Sequence, residues 1–177
     1  MIGKQRYSGF VMHTIYAVAL SAAILCAVPT QAQNTETEAE EIVDPERGAA
    51  WHNAQQAALA ERTYKDGWRW VEGGLLWRNV KGNRTGARAT VRDTVTLHYA
   101  GTFVDGTTFD SSYDRGQPAT FPLRRLIKAW QLAVPQMTVG DTIEIAAPAS
   151  IAYGARGGNG IPGGATLLFT IELLAIQ

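Results

Sequence analysis

From about Trp68 onward, apolar positions recur every second residue. Val91, Val95, Leu97 and Tyr99 alternate with polar neighbours, and Ile143 and Ile145 repeat the pattern within residues 141–147. Period two places one side chain in each pair on a common face, so these runs predict half-buried strands. Residues 166–176 predict a long terminal strand, and Asp105-Gly106 is a hairpin turn signal. One stretch breaks the alternation: Leu126, Ile127, Trp130 and Val134 fall at helical spacing, and Pro135 is expected to end the run. Together these elements predict an α+β domain, a twisted antiparallel β-sheet wrapped over one short α-helix.

Ahead of the strands the pattern changes twice. Residues 33–43 are polar and acidic without apolar periodicity, which predicts a disordered tether. Residues 44–67 then form an N-terminal helical segment in which Asp44 is expected to cap, Pro45 to occupy the first turn and an Ala-rich run to continue to about Glu61. Trp51, Ala54, Ala58 and Leu59 fall near one face of that helix. Two readings of the face stand open: packing on its own domain, or a homodimer contact.

The first residues carry a different signal. Lys4 and Arg6 precede an uncharged apolar stretch over residues 15–28, and Pro29-Thr30-Gln31-Ala32 ends in small residues. This reads as a cleavable signal peptide over residues 1–32, hence a periplasmic or secreted protein. The stretch is shorter than the roughly 20 residues of a bilayer span, which places a retained membrane anchor second. Cys26 suggests lipidation, but Leu25 stands where a lipobox requires a small residue. Cleavage after Ala32 removes Cys26, the one cysteine. A stable exported domain must then rely on its core rather than on disulfides.

Composition narrows the chemistry. Sixteen basic residues balance sixteen acidic ones, so no basic stripe argues for nucleic acid. Without cysteine in the mature chain, and with only scattered histidines, neither a metal site nor a cofactor is expected. Residues 154–164 hold six glycines but lack the GK[ST] ending of a phosphate loop. They read better as a flexible loop with Ile161 reaching inward.

What remains is an ordered set of motifs: His98-Tyr99-x-Gly101, Asp105-Gly106, Phe109-Asp110-Ser111-Ser112, Trp130, Met137-x-Val139-Gly140, Ala152-Tyr153-Gly154 and Ile161-Pro162. Taken singly, the aromatic residues are ordinary core positions and Asp110 an ordinary turn residue. Their joint order resembles the FKBP-type peptidyl-prolyl cis/trans isomerases. Gly74-Leu75-Leu76-Trp77 resembles the opening strand of the exported bacterial branch, so the domain is expected over residues 68–177.

The resemblance implies a pocket that isomerises X-Pro bonds in exported proteins (EC 5.2.1.8). It implies Trp130 as the floor, with Tyr99, Phe109, Phe121, Leu126, Ile127, Tyr153, Ile161 and Phe169 as walls. The Ile127 backbone N–H would hold a substrate carbonyl, and the Tyr153 hydroxyl would offer a second donor. Asp110, oriented by Arg115, would polarise the site without transferring a proton. The implied partners are proline-containing unfolded or partly folded polypeptides and macrolide inhibitors. Ala119, Leu123-Arg124-Arg125, Ala129 and Gly158 depart from the family pattern, and the smaller wall at Ala119 implies weaker peptide or macrolide binding. The alternative function is an envelope chaperone or peptide-binding module whose isomerase activity is incidental.

Overall fold

Seven strands carry the fold of residues 47–177, which a computed structural model describes: β1 (Arg69–Val71), β2 (Leu75–Lys81), β3 (Thr94–Thr102), β4 (Thr108–Ser111), β5 (Ala119–Pro122), β6 (Thr142–Ala147) and β7 (Leu167–Ile176). All pairings are antiparallel, in the order β1-β2-β6-β7-β3-β4, with β5 also paired to β3. Two helices accompany the sheet, α1 (Ala49–Ala60) and α2 (Lys128–Ala133).

The alternation read from the sequence sets which residues face inward. Val95, Leu97, Tyr99 and Gly101 are buried along β3, while Thr94, Thr96 and His98 are less so. The neighbouring strands keep the same parity, with Tyr99 opposite Ile171 and Gly101 opposite Phe169. Leu75, Leu97, Ile143, Ile145, Ile171 and Leu173 form the centre of the core, all at most 1% exposed. The strand begins later than the sequence pattern suggested. Asp93 closes a turn with Thr90, through backbone and side-chain bonds of 3.0 and 2.7 Å, and leaves Val91 exposed.

Two helix expectations need correction. Helix α2 starts after Leu126 and Ile127, with Ile127 as its N-cap, and ends at Ala133 with Val134 as C-cap, just ahead of Pro135 as the sequence pattern predicted. Pro135 sits early in a 3-10 turn over Val134–Gln136, where a missing N–H leaves no bond unmade. At the other end, α1 begins at Ala49 with Gly48 as N-cap, later than the sequence pattern suggested. Asp44 and Pro45, like the signal and tether readings, lie outside the described residues.

Helix α1 docks on its own chain, the first of the two readings open from the sequence. Its buried residues are Gln55 and Ala58, while Ala54 is exposed. The contact turns on Gln55, whose Oε1 accepts the Thr166 N–H at 2.9 Å and whose carbonyl accepts the Thr166 hydroxyl at 3.2 Å. A buried glutamine satisfied in this way fixes the helix beside the start of β7, where apolar periodicity alone gave no signal. Trp51, one turn earlier, is half-buried against the core.

Candidate active site

Four separate elements deliver aromatic rings to one place. β3 supplies Tyr99, β4 Phe109, β7 Phe169 and α2 Trp130. The Trp130 ring meets Tyr99 edge-on at 5.1 Å and Phe169 edge-on at 5.5 Å. Phe169 in turn meets Phe109 at 5.6 Å and 89°, and Phe121 of β5 lies 6.4 Å from Tyr99. Such edge-to-face contacts pair the positive rim of one ring with the negative face of another, which fixes ring orientation as well as burying area. Trp130 is 4% exposed and Phe169 6%, whereas Phe109 and Phe121 are half-buried. The result is an aromatic cup with a buried floor and more open walls.

Gly101 makes the cup possible. A Cβ there would lie 2.6 Å from Phe109 and 2.9 Å from Phe169, closer than real side chains approach. The glycine therefore marks where two rings press against a strand backbone. Phe103 extends the aromatic series, 5.0 Å from Phe109. The sequence reading included Gly101 in a motif without a role and did not include Phe103. A glycine inside an alternating strand, with an aromatic two residues on, was the available signal.

A charged edge adjoins the cup. The Tyr99 hydroxyl donates to Asp110 Oδ2 at 2.5 Å, and Arg115 donates to Asp110 Oδ1 and, at 2.8 Å, to the Tyr99 oxygen. Ser112 holds the same tyrosine from behind: its Oγ accepts the Tyr99 N–H at 2.7 Å and lies 2.9 Å from His98 Nδ1. Burial alone would raise the Asp110 carboxyl. Hydrogen bonds from Tyr99 and Arg115, with the guanidinium's charge, outweigh it and hold the group below the usual aspartate range. Burial and the bond to Asp110 push the Tyr99 hydroxyl upward.

These directions fix a pH expectation. A carboxyl with a depressed value keeps its charge, and the stability linked to it, above the ordinary aspartate range near 3.9. It loses both only as pH falls through the lowered value. Tyr99, raised above about 10, stays protonated. Activity of the folded protein should therefore be nearly flat from about pH 6 to 8. Asp110 is partly open to solvent, so screening limits its contribution, and Asp110→Asn should lower kcat/KM about three- to tenfold without abolishing it. A bell-shaped rate profile that disappears in the variant would instead show proton transfer.

The remaining expected residues pack against the same core. Leu126, Ile127 and Tyr153 are half-buried against the same core, and Ile161 is buried. As N-cap, Ile127 accepts the Trp130 N–H at 3.0 Å, while its own N–H donates to no described residue. The Tyr153 hydroxyl likewise bonds no described residue, and its ring stands outside the edge-to-face series. Gly154 and Gly164 are joined by a backbone bond of 3.0 Å, so the Gly-rich segment between them is a closed loop carrying Ile161. A cavity of about 480 Å³ is lined by Arg78, Glu144 and Thr170 together with Ile145 and the cup residue Phe169. Strand alternation turns its Arg78, Glu144 and Thr170 away from Trp77, Ile145 and Phe169, and Arg78 is already paired with Glu144 at 2.7 Å.

This arrangement has counterparts. Residues 86–174 match the sequence profile of FKBP-type peptidyl-prolyl cis-trans isomerases. The chain is 45% identical over 119 residues to the FKBP-type isomerase FkpA of Aeromonas hydrophila, covering 67% of this chain and 44% of that one. It is 43% identical over 119 residues to the FKBP-type 22 kDa isomerase of Escherichia coli, covering 67% and 57%. The chain thus spans about half the length of these curated relatives. Among solved structures, it resembles FkpA from Escherichia coli with a TM-score of 0.63 and 32% identity, covering 71% of this chain and 61% of that one. A peptidyl-prolyl isomerase from Pseudomonas syringae gives 0.65 and 30%, covering 72% and 94%. With the matched profile spanning the strands and helix that build the aromatic cup, this chain belongs to the FKBP-type peptidyl-prolyl cis-trans isomerase family.

Proposed function

We propose that this chain accelerates cis/trans isomerisation of X-Pro bonds in exported polypeptides. The observation that carries the reading is the set of aromatic rings around Trp130, supported by an Ile127 amide that donates to no described residue. An X-Pro bond turns slowly because its amide resonance must be interrupted, over tens to hundreds of seconds. No covalent bond is made or broken. The twisted amide has less charge separation than either planar isomer, so a dry apolar cup favours it. Raising a step from about 0.01 to about 10 per second needs only ~4 kcal/mol.

In this reading the proline ring rests on Trp130 between Tyr99, Phe109, Phe121 and Phe169, with Leu126, Ile127, Tyr153 and Ile161 closing the rim. The Ile127 N–H holds the carbonyl of a substrate residue, and the Tyr153 hydroxyl offers a second donor. Asp110, held by Tyr99 and Arg115, orients the wall and contributes a fixed field. Ala119 is a small, half-buried wall residue, which fits weaker binding of bulky macrolides. Among relatives, the name FK506-binding protein 2 in Emericella nidulans points to that ligand class, and outer membrane protein MIP in Legionella longbeachae supports an envelope location.

A holding role for unfolded chains is the second reading, favoured by Trp70 and Tyr64, which are 70% and 74% exposed. The test is a proline-isomerisation assay on short peptides, run beside aggregation suppression of a proline-free client, with light scattering to give the oligomeric state. Catalysis of the peptides without suppression is the expected result. Suppression without catalysis would establish the holding role in its place.

A further inference from the structure

The aromatic series does not stop at the cup. Phe103 leads from Phe109 to a groove of about 210 Å³, walled on one side by α1 and on the other by the β3–β4 turn. Trp51 and Ala54 line it from the helix, Phe103 and Val104 from the turn, and Pro162 from the Gly-rich loop. Pro162 directly follows Ile161 of the cup's rim. We infer that this groove is a second subsite of the isomerase, taking a large apolar side chain of the client up to about five residues from the isomerised proline.

The inference rests on the isomerase reading, and three observations support the occupant. The first is continuity, because one ring pair, Phe103 and Phe109 at 5.0 Å, joins groove and cup, with Gln55 and Asp105 also lining the groove. The rings run from Trp130 through Phe169 and Phe109 to Phe103 in steps of 5.5, 5.6 and 5.0 Å, and an extended chain rises about 3.3 Å per residue, so a peptide with its proline over Trp130 reaches Phe103 within about five residues. The second is size. The groove is smaller than the ~300–1,000 Å³ of a self-sufficient small-molecule pocket and suits a single side chain. The third is that helix docking does not require an open groove. Gln55 already anchors α1 to Thr166, and one edge of Trp51 lies toward Gly164, where an added Cβ would meet it at 3.6 Å. The indole also carries Arg47 over its ring at 5.1 Å and His52 edge-on at 5.0 Å, and it lines the groove as well.

The geometry predicts a length and sequence preference in substrates. Client peptides carrying Phe or Leu at one of the positions two to about five residues before or after the X-Pro pair should show about tenfold higher kcat/KM than peptides with Ser there. Ala54 is exposed on α1 at the groove's edge, so Ala54→Arg should fold normally and fill the opening. It should remove the tenfold preference and leave kcat/KM on a minimal X-Pro tetrapeptide within about twofold of the parent. Trp51→Ala, which opens the same helical wall, should remove the same preference.

The outcomes separate cleanly. A parent protein inactive on every peptide overturns the isomerase reading itself. Full activity on the tetrapeptide with no advantage for the apolar arm overturns the subsite alone, as does an advantage that survives in both variants. Light scattering on the full chain supplies the last arm. A dimer that Ala54→Arg dissociates, with no change in peptide preference, would assign the groove to a second copy and overturn the inference.

Discussion

Replacing Trp130 with alanine is expected to abolish most catalysis and to destabilise the domain by about 3–5 kcal/mol, the range for truncating a large buried aromatic. The indole is 4% exposed and contacts both Tyr99 and Phe169. Its loss removes the cup's floor and leaves two partner rings without their edge-to-face contacts. Domains of this kind have about 5–15 kcal/mol in total, so the variant requires a check that it remains folded. Trp130→Phe provides that control. The indole Nε1–H is buried without a partner among the described residues, and an unmet buried donor costs about 1–3 kcal/mol. Phenylalanine removes this cost along with part of the apolar area, so the variant should stay folded and bind peptide more weakly. In folded Trp130→Ala, kcat/KM on X-Pro peptides should fall about a hundredfold, or ~2.7 kcal/mol. Undiminished turnover in that protein would remove Trp130 from the mechanism.

The strands and the cup were legible in the sequence for different reasons. Period-two alternation is a local property, so Val95, Leu97 and Tyr99 declared their buried face directly. The cup was legible only because several motifs stood in one order. Phe109, Trp130 and Phe169 are far apart in the chain, and no local rule states that their rings meet. The errors arose where a non-local partner decided the outcome. Alanine propensity over residues 49–60 gave a helix but not its docking face, because Thr166 selects Gln55 from across the chain. Phe103 resembled an ordinary strand-end aromatic until the fold placed it against Phe109.

A single methyl group added at Gly101 should damage activity more than stability. The backbone there is not in the left-handed region, and glycine to alanine at a compatible site stabilises by about 0.4–1 kcal/mol through the unfolded chain. Opposing this, the new Cβ would stand 2.6 Å from Phe109 and 2.9 Å from Phe169. Overpacking of this kind costs about 1–3 kcal/mol, so a net loss of roughly 1–2 kcal/mol is expected and the protein should still fold. Catalysis has no such compensation. Phe109 and Phe169 meet edge-on, and Phe169 meets Trp130 edge-on, so displacing the first pair also disturbs the floor. Gly101→Ala should therefore lower kcat/KM about ten- to a hundredfold, while denaturant melts show only a modest shift. Adding Phe109→Leu removes the ring that meets the methyl at 2.6 Å, which should recover stability but not activity, because the cup wall is then missing. Recovery of both in the double variant would show that the Phe109 ring itself is dispensable for turnover.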